Sequence, residues 1–243
     1  MNLNEGLLNY ICNGTRPPLP YALCLIGVLA IAYLLGSVNS SIIVSTVLHG
    51  EDIRTKGSGN AGLTNTLRTY GKGAAGLVLL GDMLKTILSI SIAGFVFGFY
   101  YTGAISFSGE CYIAGLCSII GHVFPIYYKF KGGKGVLSTS TMALMLTPIH
   151  FAILFLIFVG VVALSKYVSL GSVIVAVLYP IILDGTFKMA STAENPVTCL
   201  GATVASILLA VLIVYCHRGN LQRISDHTER KLSFGGKKKD DEQ

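Results

Sequence analysis

Two polar, glycine-rich segments carry the residue types that phosphate chemistry needs. The first reads Asp52-Ile53-Arg54-Thr55-Lys56-Gly57-Ser58-Gly59-Asn60-Ala61-Gly62-Leu63-Thr64-Asn65-Thr66-Leu67-Arg68. Glycines at 57, 59 and 62 permit positive φ and close backbone approach, so successive N–H groups could turn toward one anion. Ser58, Thr64 and Asn65 add side-chain donors, and Arg68 adds a fixed charge whose fork matches phosphate oxygens. The second segment, Phe130-Lys131-Gly132-Gly133-Lys134-Gly135, repeats the combination of glycine backbone and ammonium. It is not a nucleotide P-loop, because that motif needs Gly where Tyr128 stands and Ser or Thr where Gly135 stands. Two such loops on one face suit two phosphates, or one phosphate and a charged transition state.

Other polar residues admit two readings each. Asp82 and Lys85, three apart in an apolar run, could pair on one helical face and so lower the cost of burial. His122, ahead of Phe124-Pro125, orients the second loop or is purely structural. Ser169 and Ser172 open a later apolar run, where a hydroxyl reaches a ligand or bonds the preceding helical turn. His217, Arg218 and Asn220 close the last run, where a histidine is ordinarily a partner of the helix dipole.

The elements that must position these residues are membrane spans. Of the 243 residues 52% are hydrophobic and 12% charged, with mean hydropathy +0.67, outside the range of water-soluble domains. Apolar runs of the roughly 20 residues that cross a hydrocarbon core recur, separated by short loops holding nearly all the charge. A lone leader peptide does not explain that repetition. The net charge of +6 comes from clusters that fall between apolar runs, which fits membrane topology and not nucleic acid. Cys24, Cys117, Cys199 and Cys216 sit in apolar runs and no C-x-x-C occurs, so they read as apolar fillers; Cys12 and Cys111 could pair if both lie outside the cell. With no acidic cluster, neither a metal nor another cofactor is expected.

The expected fold is an all-α polytopic membrane protein of seven transmembrane helices. An N-terminal interfacial arm covers 1–20, a single transmembrane domain covers 21–217 with polar loops at 49–72 and 127–135, and a charged tail covers 218–243. Spans are expected at 21–48, 73–101, 105–125, 168–183 and 197–216, with the overlong run 136–165 divided at Thr147-Pro148 into two short helices. This count puts Arg54, Lys56, Arg68 and Lys72 on one side with Lys129, Lys131, Lys134, Lys166 and the basic tail, leaving only Arg16 and Lys188 opposite. Basic residues stay in the cytoplasm, so the N-terminus is outside and the C-terminus cytoplasmic. A single kinked helix over 136–165 would put Lys166 and the tail on the wrong side.

Taken together the segments resemble one family, the acyl-phosphate-dependent glycerol-3-phosphate acyltransferases of bacterial membranes (PlsY). The likeness runs from about 35 to 231. It covers the D-I-R-x-x-G-S-G-N-x-G-x-T-N-x-x-R stretch ending at Arg68, Asp82 with Lys85, Gly121-His122-x-Phe124-Pro125, Phe130 to Val136, and Tyr167-Val168-Ser169-Leu170. His217-Arg218-x-Asn220 and Thr228-Glu229-Arg230-Lys231 complete it. The resemblance implies transfer of a fatty acyl group from acyl phosphate to the 1-hydroxyl of glycerol 3-phosphate, giving lysophosphatidic acid and phosphate at the cytoplasmic face of a bacterial cell membrane. Carried over by position, Ser58, Arg68, Lys134, Ser172, His217 and Asn220 would be catalytic. Gly57, Gly59, Asn60, Gly62, Thr64, Asn65, Gly132, Gly133, Gly135 and Glu229 would bind substrate. It also implies a functional link to the enzyme that makes acyl phosphate.

Departures from the pattern are Asn39 in place of a usual Pro, Leu63 for Ala and Thr86 for Gly, and these bear on helix kinking more than on chemistry. A thioester-dependent acyltransferase would show H-x-x-x-x-D, and none of the five histidines has Asp five residues later. A transporter would place its polar residues at mid-membrane in related repeats, whereas these gather at one face.

Overall fold

The computed structural model describes residues 6–12, 17–99, 101–102, 105–106, 108–190 and 199–232. Arg16, the expected start of the last span at 197 and the tail beyond 232 lie outside the described residues. Within them the regular structure is helical apart from one hairpin, β1 (Tyr101–Thr102) antiparallel to β2 (Ile105–Ser106). A short helix in the arm, α1 (Gly6–Ile11), buries Leu8 in a core cluster that includes Phe97.

The first apolar segment, expected as one helix over 21–48, is two: α2 (Pro18–Ser37) and α3 (Ser40–His49). The break falls at Val38 and Asn39. Asn39 makes a clean restart, its Oδ1 accepting the Ile42 N–H at 3.1 Å as an N-cap. The polar residue in place of proline therefore keeps the break by capping α3. A 3-10 turn (Ile53–Thr55), capped by Asp52, leads toward α4 (Leu63–Phe97). α4 begins inside the expected loop 49–72 and is interrupted at Gly71, whose φ of 82° is not helical.

α5 (Gly109–Val123) leads into a second 3-10 turn (Ile126–Tyr128). The expected division at Thr147-Pro148 is present: α6 (Val136–Leu146) ends and α7 (Pro148–Ser165) begins with proline at its first position, where the missing N–H has no intrahelical acceptor. α8 (Val168–Ala190) and α9 (Leu200–Ser225) complete the bundle. α9 runs well past the expected end at 216, and the chain then folds back so that the Leu232 N–H donates to the Lys166 carbonyl at 2.7 Å.

Among the described residues six segments are long and apolar enough to cross a membrane: Pro18–His49, Leu63–Phe97, Gly109–Tyr128, Pro148–Ser165, Val168–Met189 and Leu200–Ser225. α6, the remaining one of the seven expected, has 11 residues and rises only about 16 Å, roughly half the ~30 Å hydrocarbon core. Large apolar side chains cover the outside, with Leu164 and Met189 each 90% exposed, as a multi-pass membrane protein requires of its lipid face. α2 and α5 approach closely, because a Cβ on Gly36 or Gly121 would meet a backbone carbonyl of the other helix at 2.0 and 2.3 Å. Cys111 is buried with its sulfur 3.9 Å from the Ile90 carbonyl, and among the described residues no disulfide joins it to Cys12.

Candidate active site

The first polar loop is organised from within by Asn65, which is 2% exposed. Its Oδ1 accepts the Ser58 N–H at 2.9 Å, and its Nδ2 reaches the carbonyls of Ile53, Lys56 and Asn60 at 3.3, 3.0 and 3.1 Å. Asn65 thus holds the loop with its side chain fully engaged. The Gly59 and Gly62 N–H groups also bond within the loop, to the Lys56 and Asn60 carbonyls. The expected cradle of glycine N–H groups is therefore corrected: those donors stabilise the turn.

Free backbone donors lie one step on. The N–H groups of Leu63, Thr64 and Asn65 open α4, where no intrahelical acceptor exists, and Gly62 at the N-cap offers no side chain. A helix start of this kind binds anions through its orphan donors and its dipole. All three residues line a cavity of about 1120 Å³, together with Gly57, Ser58, Gly59, Asn60 and Gly62. Arg68 lines it one turn further along α4, exposed and without an ion-pair partner among the described residues.

Of the second loop, Gly135 and Lys134 line the cavity, but Gly132 and Gly133 do not. Their N–H groups donate to the Val123 and His122 carbonyls, both at 3.1 Å. A Cβ on Gly133 would stand 2.1 Å from His122 Nε2 and 2.6 Å from the Ala61 carbonyl oxygen. These glycines let the loop lie flat on the end of α5 and against the first loop. Arg54, to which the sequence alone assigns no role, secures the same contact: Nη1 donates to the Tyr128 and Lys131 carbonyls at 3.0 Å each, and Nε and Nη2 grip Asp52. The hydrogen bond from Arg54 holds the Asp52 carboxyl below the usual carboxylate range. The Asp-x-Arg spacing ahead of the glycines is the signal that marks this clamp.

Lys134 Nζ donates to Asn220 Oδ1, and Asn220 Nδ2 donates to Glu229 Oε1 at 2.6 Å. Glu229 also accepts from Ser169 Oγ at 2.9 Å and Arg223 Nε at 2.7 Å, tying the returning tail to α8 and α9. Burial lowers the Lys134 pKa to about 8, with Glu229 acting in the opposite sense. Burial works to raise the Glu229 pKa, but hydrogen bonds from Asn220, Arg223 and Ser169 overcome it and leave the group below its ordinary value. Glu229 is thus a carboxylate that positions Asn220, and through it Lys134.

His217, 3% exposed, has Nδ1 2.8 Å from the Ile213 carbonyl. A carbonyl only accepts, so Nδ1 carries the proton, and in the neutral ring Nε2 is left with a lone pair. Ser172, 2% exposed, gives its hydroxyl proton to the Val168 carbonyl at 2.9 Å, so its Oγ meets the cavity as an acceptor. Ser172, His217, Asn220 and Glu229 all line the cavity.

Asp82 and Lys85 do pair, and His122 joins them. Lys85 Nζ lies 3.0 Å from Asp82 Oδ1, an ion-pair contact too oblique to count as an aligned hydrogen bond. The same Nζ is 2.8 Å from the Val38 carbonyl at the α2–α3 break and 2.8 Å from His122 Nδ1. This cluster locks three elements together beneath the second loop. From the polar end the cavity continues between helices as an apolar limb past Leu137 and Leu144 of α6, Phe155 of α7, and Val175 and Tyr179 of α8.

Comparisons with known proteins identify the family. The glycerol-3-phosphate acyltransferase family profile matches residues 26–227. The chain is 38% identical over 213 residues to the glycerol-3-phosphate acyltransferase of Geobacillus kaustophilus, covering 87% of this chain and 98% of that one. With the Chlorobaculum tepidum enzyme of the same description it shares 36% over 231 residues, covering 88% and 99%. Among solved structures it superposes on PlsY (YgiH), an integral membrane glycerol 3-phosphate acyltransferase, in its glycerol 3-phosphate form. The TM-score is 0.72 with 31% identity, covering 86% of this chain and 96% of that one. The lysophosphatidic acid form of PlsY gives a TM-score of 0.68 with 28% identity. This chain, an integral membrane acyltransferase, belongs to the glycerol-3-phosphate acyltransferase family, PlsY.

Proposed function

We propose that the protein transfers a fatty acyl group from acyl phosphate to the 1-hydroxyl of glycerol 3-phosphate, giving lysophosphatidic acid and inorganic phosphate. One observation carries the reading: a single cavity joins a cationic mouth, with Arg68, Lys134 and the start of α4, to an apolar limb between helices. The mouth suits phosphate groups and the limb suits a hydrocarbon chain. From Ser172 to Tyr179 the limb follows seven residues of α8, about 10 Å at ~1.5 Å per residue. That length holds roughly eight methylenes at ~1.3 Å each, from ~1.5 Å bonds at tetrahedral angles. The rest of a long chain would leave past the exposed Leu144 and Phe155 into lipid.

Acyl phosphate is already activated, so the site needs to orient a hydroxyl and stabilise the charge that develops. Arg68, Asn220 and His217 hold glycerol 3-phosphate. Lys134, Thr64, Ser172 and the N–H groups at the start of α4 hold the acyl phosphate, Ser172 donating once its hydroxyl turns from Val168. The glycerol oxygen attacks the acyl carbon, the bond from that carbon to the phosphate oxygen breaks, and the departing phosphate takes the hydroxyl proton. The substrate thus serves as its own base. Ser58, Asn60 and the loop glycines shape the mouth.

In the membrane we place this mouth on the cytoplasmic side, where the basic loops converge. α6 and α7 form one inward and one outward pass, completing seven. The N-terminus is then outside and the C-terminus inside, and the host is a bacterium that makes acyl phosphate with a separate enzyme. The test presents purified protein in micelles with glycerol 3-phosphate and, in parallel, palmitoyl phosphate or palmitoyl thioester. Product from the phosphate donor alone supports the reading, and turnover with the thioester alone overturns it. Wild-type rate and affinity in both Arg68→Ala and Lys134→Ala would remove the residue assignment.

A further inference from the structure

Lys85 is an ammonium held almost out of solvent, with 5% of its side chain exposed beside an Asp82 at 1%. Its Nζ meets three groups: Asp82 Oδ1, the Val38 carbonyl and His122 Nδ1. An ammonium has three donors and no acceptor, so the Val38 carbonyl and His122 Nδ1 must both accept, while Asp82 Oδ1 stays in ion-pair contact. His122 Nδ1 therefore carries a lone pair, and the neutral ring carries its proton on Nε2.

That Nε2–H has no hydrogen-bond acceptor among the described residues, although His122 is only 4% exposed. His122 lines the cavity, and its Nε2 lies against Gly133, whose lack of a Cβ leaves room for the ring. Buried donors are satisfied in native proteins, by protein, water or ligand. The Ala61 carbonyl of the first loop abuts the same Gly133 position, and Lys134, the next residue, lines the cavity.

We propose that His122 Nε2–H is a substrate-binding donor that gives a hydrogen bond to a phosphate oxygen held in the cavity. Asp82 and Lys85 are positioning residues for it, fixing the tautomer that makes Nε2 a donor. The break between α2 and α3 takes part, since the Val38 carbonyl is the other acceptor that turns Lys85 toward the ring. The inference rests on reading the mouth as a phosphate site. The bound phosphate belongs to glycerol 3-phosphate or to the acyl donor, which share this chemistry.

The test uses the full chain in micelles, with inorganic phosphate as probe and the two substrates titrated separately. His122→Asn keeps an acceptor for Lys85 near Nδ1 but cannot reach the cavity; His122→Gln carries an amide N–H toward the place of Nε2. Loss of one hydrogen bond to an anion should weaken phosphate binding about tenfold or more in H122N, with most of that affinity restored in H122Q. The KM of the substrate whose phosphate is held should rise in parallel, with kcat changing less, and that substrate identifies the source. The proposal is overturned if H122N binds phosphate like wild type, or if both variants lose binding together with thermal stability. If wild type binds phosphate through His122 yet transfers no acyl group, the reaction assigned above fails while this inference stands.

Discussion

Lys134 makes the protein's pH dependence a sharp test of its site. Burial lowers its pKa to about 8, and phosphate binding uses the protonated form. With a value of about 8, the ammonium fraction is about 0.9 at pH 7 and about 0.09 at pH 9, so kcat/KM should fall roughly tenfold across that interval. Because the pKa is lowered, activity is present below it and lost as pH rises through it. The phosphate of the acceptor loses its second proton near pH ~6 and stays dianionic above neutrality, so it does not titrate in this window. At saturating substrate the limb should move to higher pH, since a bound dianion favours the ammonium. Lys134→Arg keeps a charge at every accessible pH, at the expense of geometry, and its slower kcat/KM should be flat to pH 9.5. A wild-type profile flat to pH 9.5, or a limb unchanged in Lys134→Arg, would refute the role given to Lys134.

Glu229→Gln removes a negative charge that raises the Lys134 pKa, so the alkaline limb should move to lower pH, read as kcat/KM against pH. In Gly133→Ala the new Cβ would stand 2.1 Å from His122 Nε2 and 2.6 Å from the Ala61 carbonyl, so the loop must shift; kcat/KM should drop by about 10- to 100-fold in a protein that still elutes as a folded species. Asn39→Ala deletes the cap of α3 and should lower stability by about 1 kcal/mol, seen as a reduced Tm in detergent with kcat nearly unchanged. Among the described residues no three His, Cys, Asp or Glu side chains gather as a metal site, and acyl transfer is expected to survive EDTA at its full rate.

Spans and loops are legible in the sequence because the bilayer imposes a length on every apolar run and collects charge at its faces. Pro148 announces the division between α6 and α7 by ordinary helix stereochemistry. The break before α3 is harder to see, since Asn39 ends one helix and starts another without any proline. The chemistry of single atoms is not legible. Asn65 looks like a phosphate donor in a row of polar letters, but folding turns it inward to bind four loop groups. Gly132 and Gly133 look like an anion cradle, but their neighbours are backbone atoms and the side chains of Pro125 and His122. The orphan N–H groups opening α4 carry no sequence mark beyond Gly62, because nearly every residue type has an N–H. Asp82, Lys85 and His122 show their pairing by spacing only in part: the third member comes from another helix, 37 residues beyond Lys85.

The reaction itself is tested most directly by stoichiometry. Purified protein, given palmitoyl phosphate and radiolabelled glycerol 3-phosphate, should release one inorganic phosphate for each labelled lysophosphatidic acid formed, with neither product when either substrate is omitted. Phosphate release without glycerol 3-phosphate, or labelled product without phosphate release, would contradict direct transfer between the two substrates in this cavity.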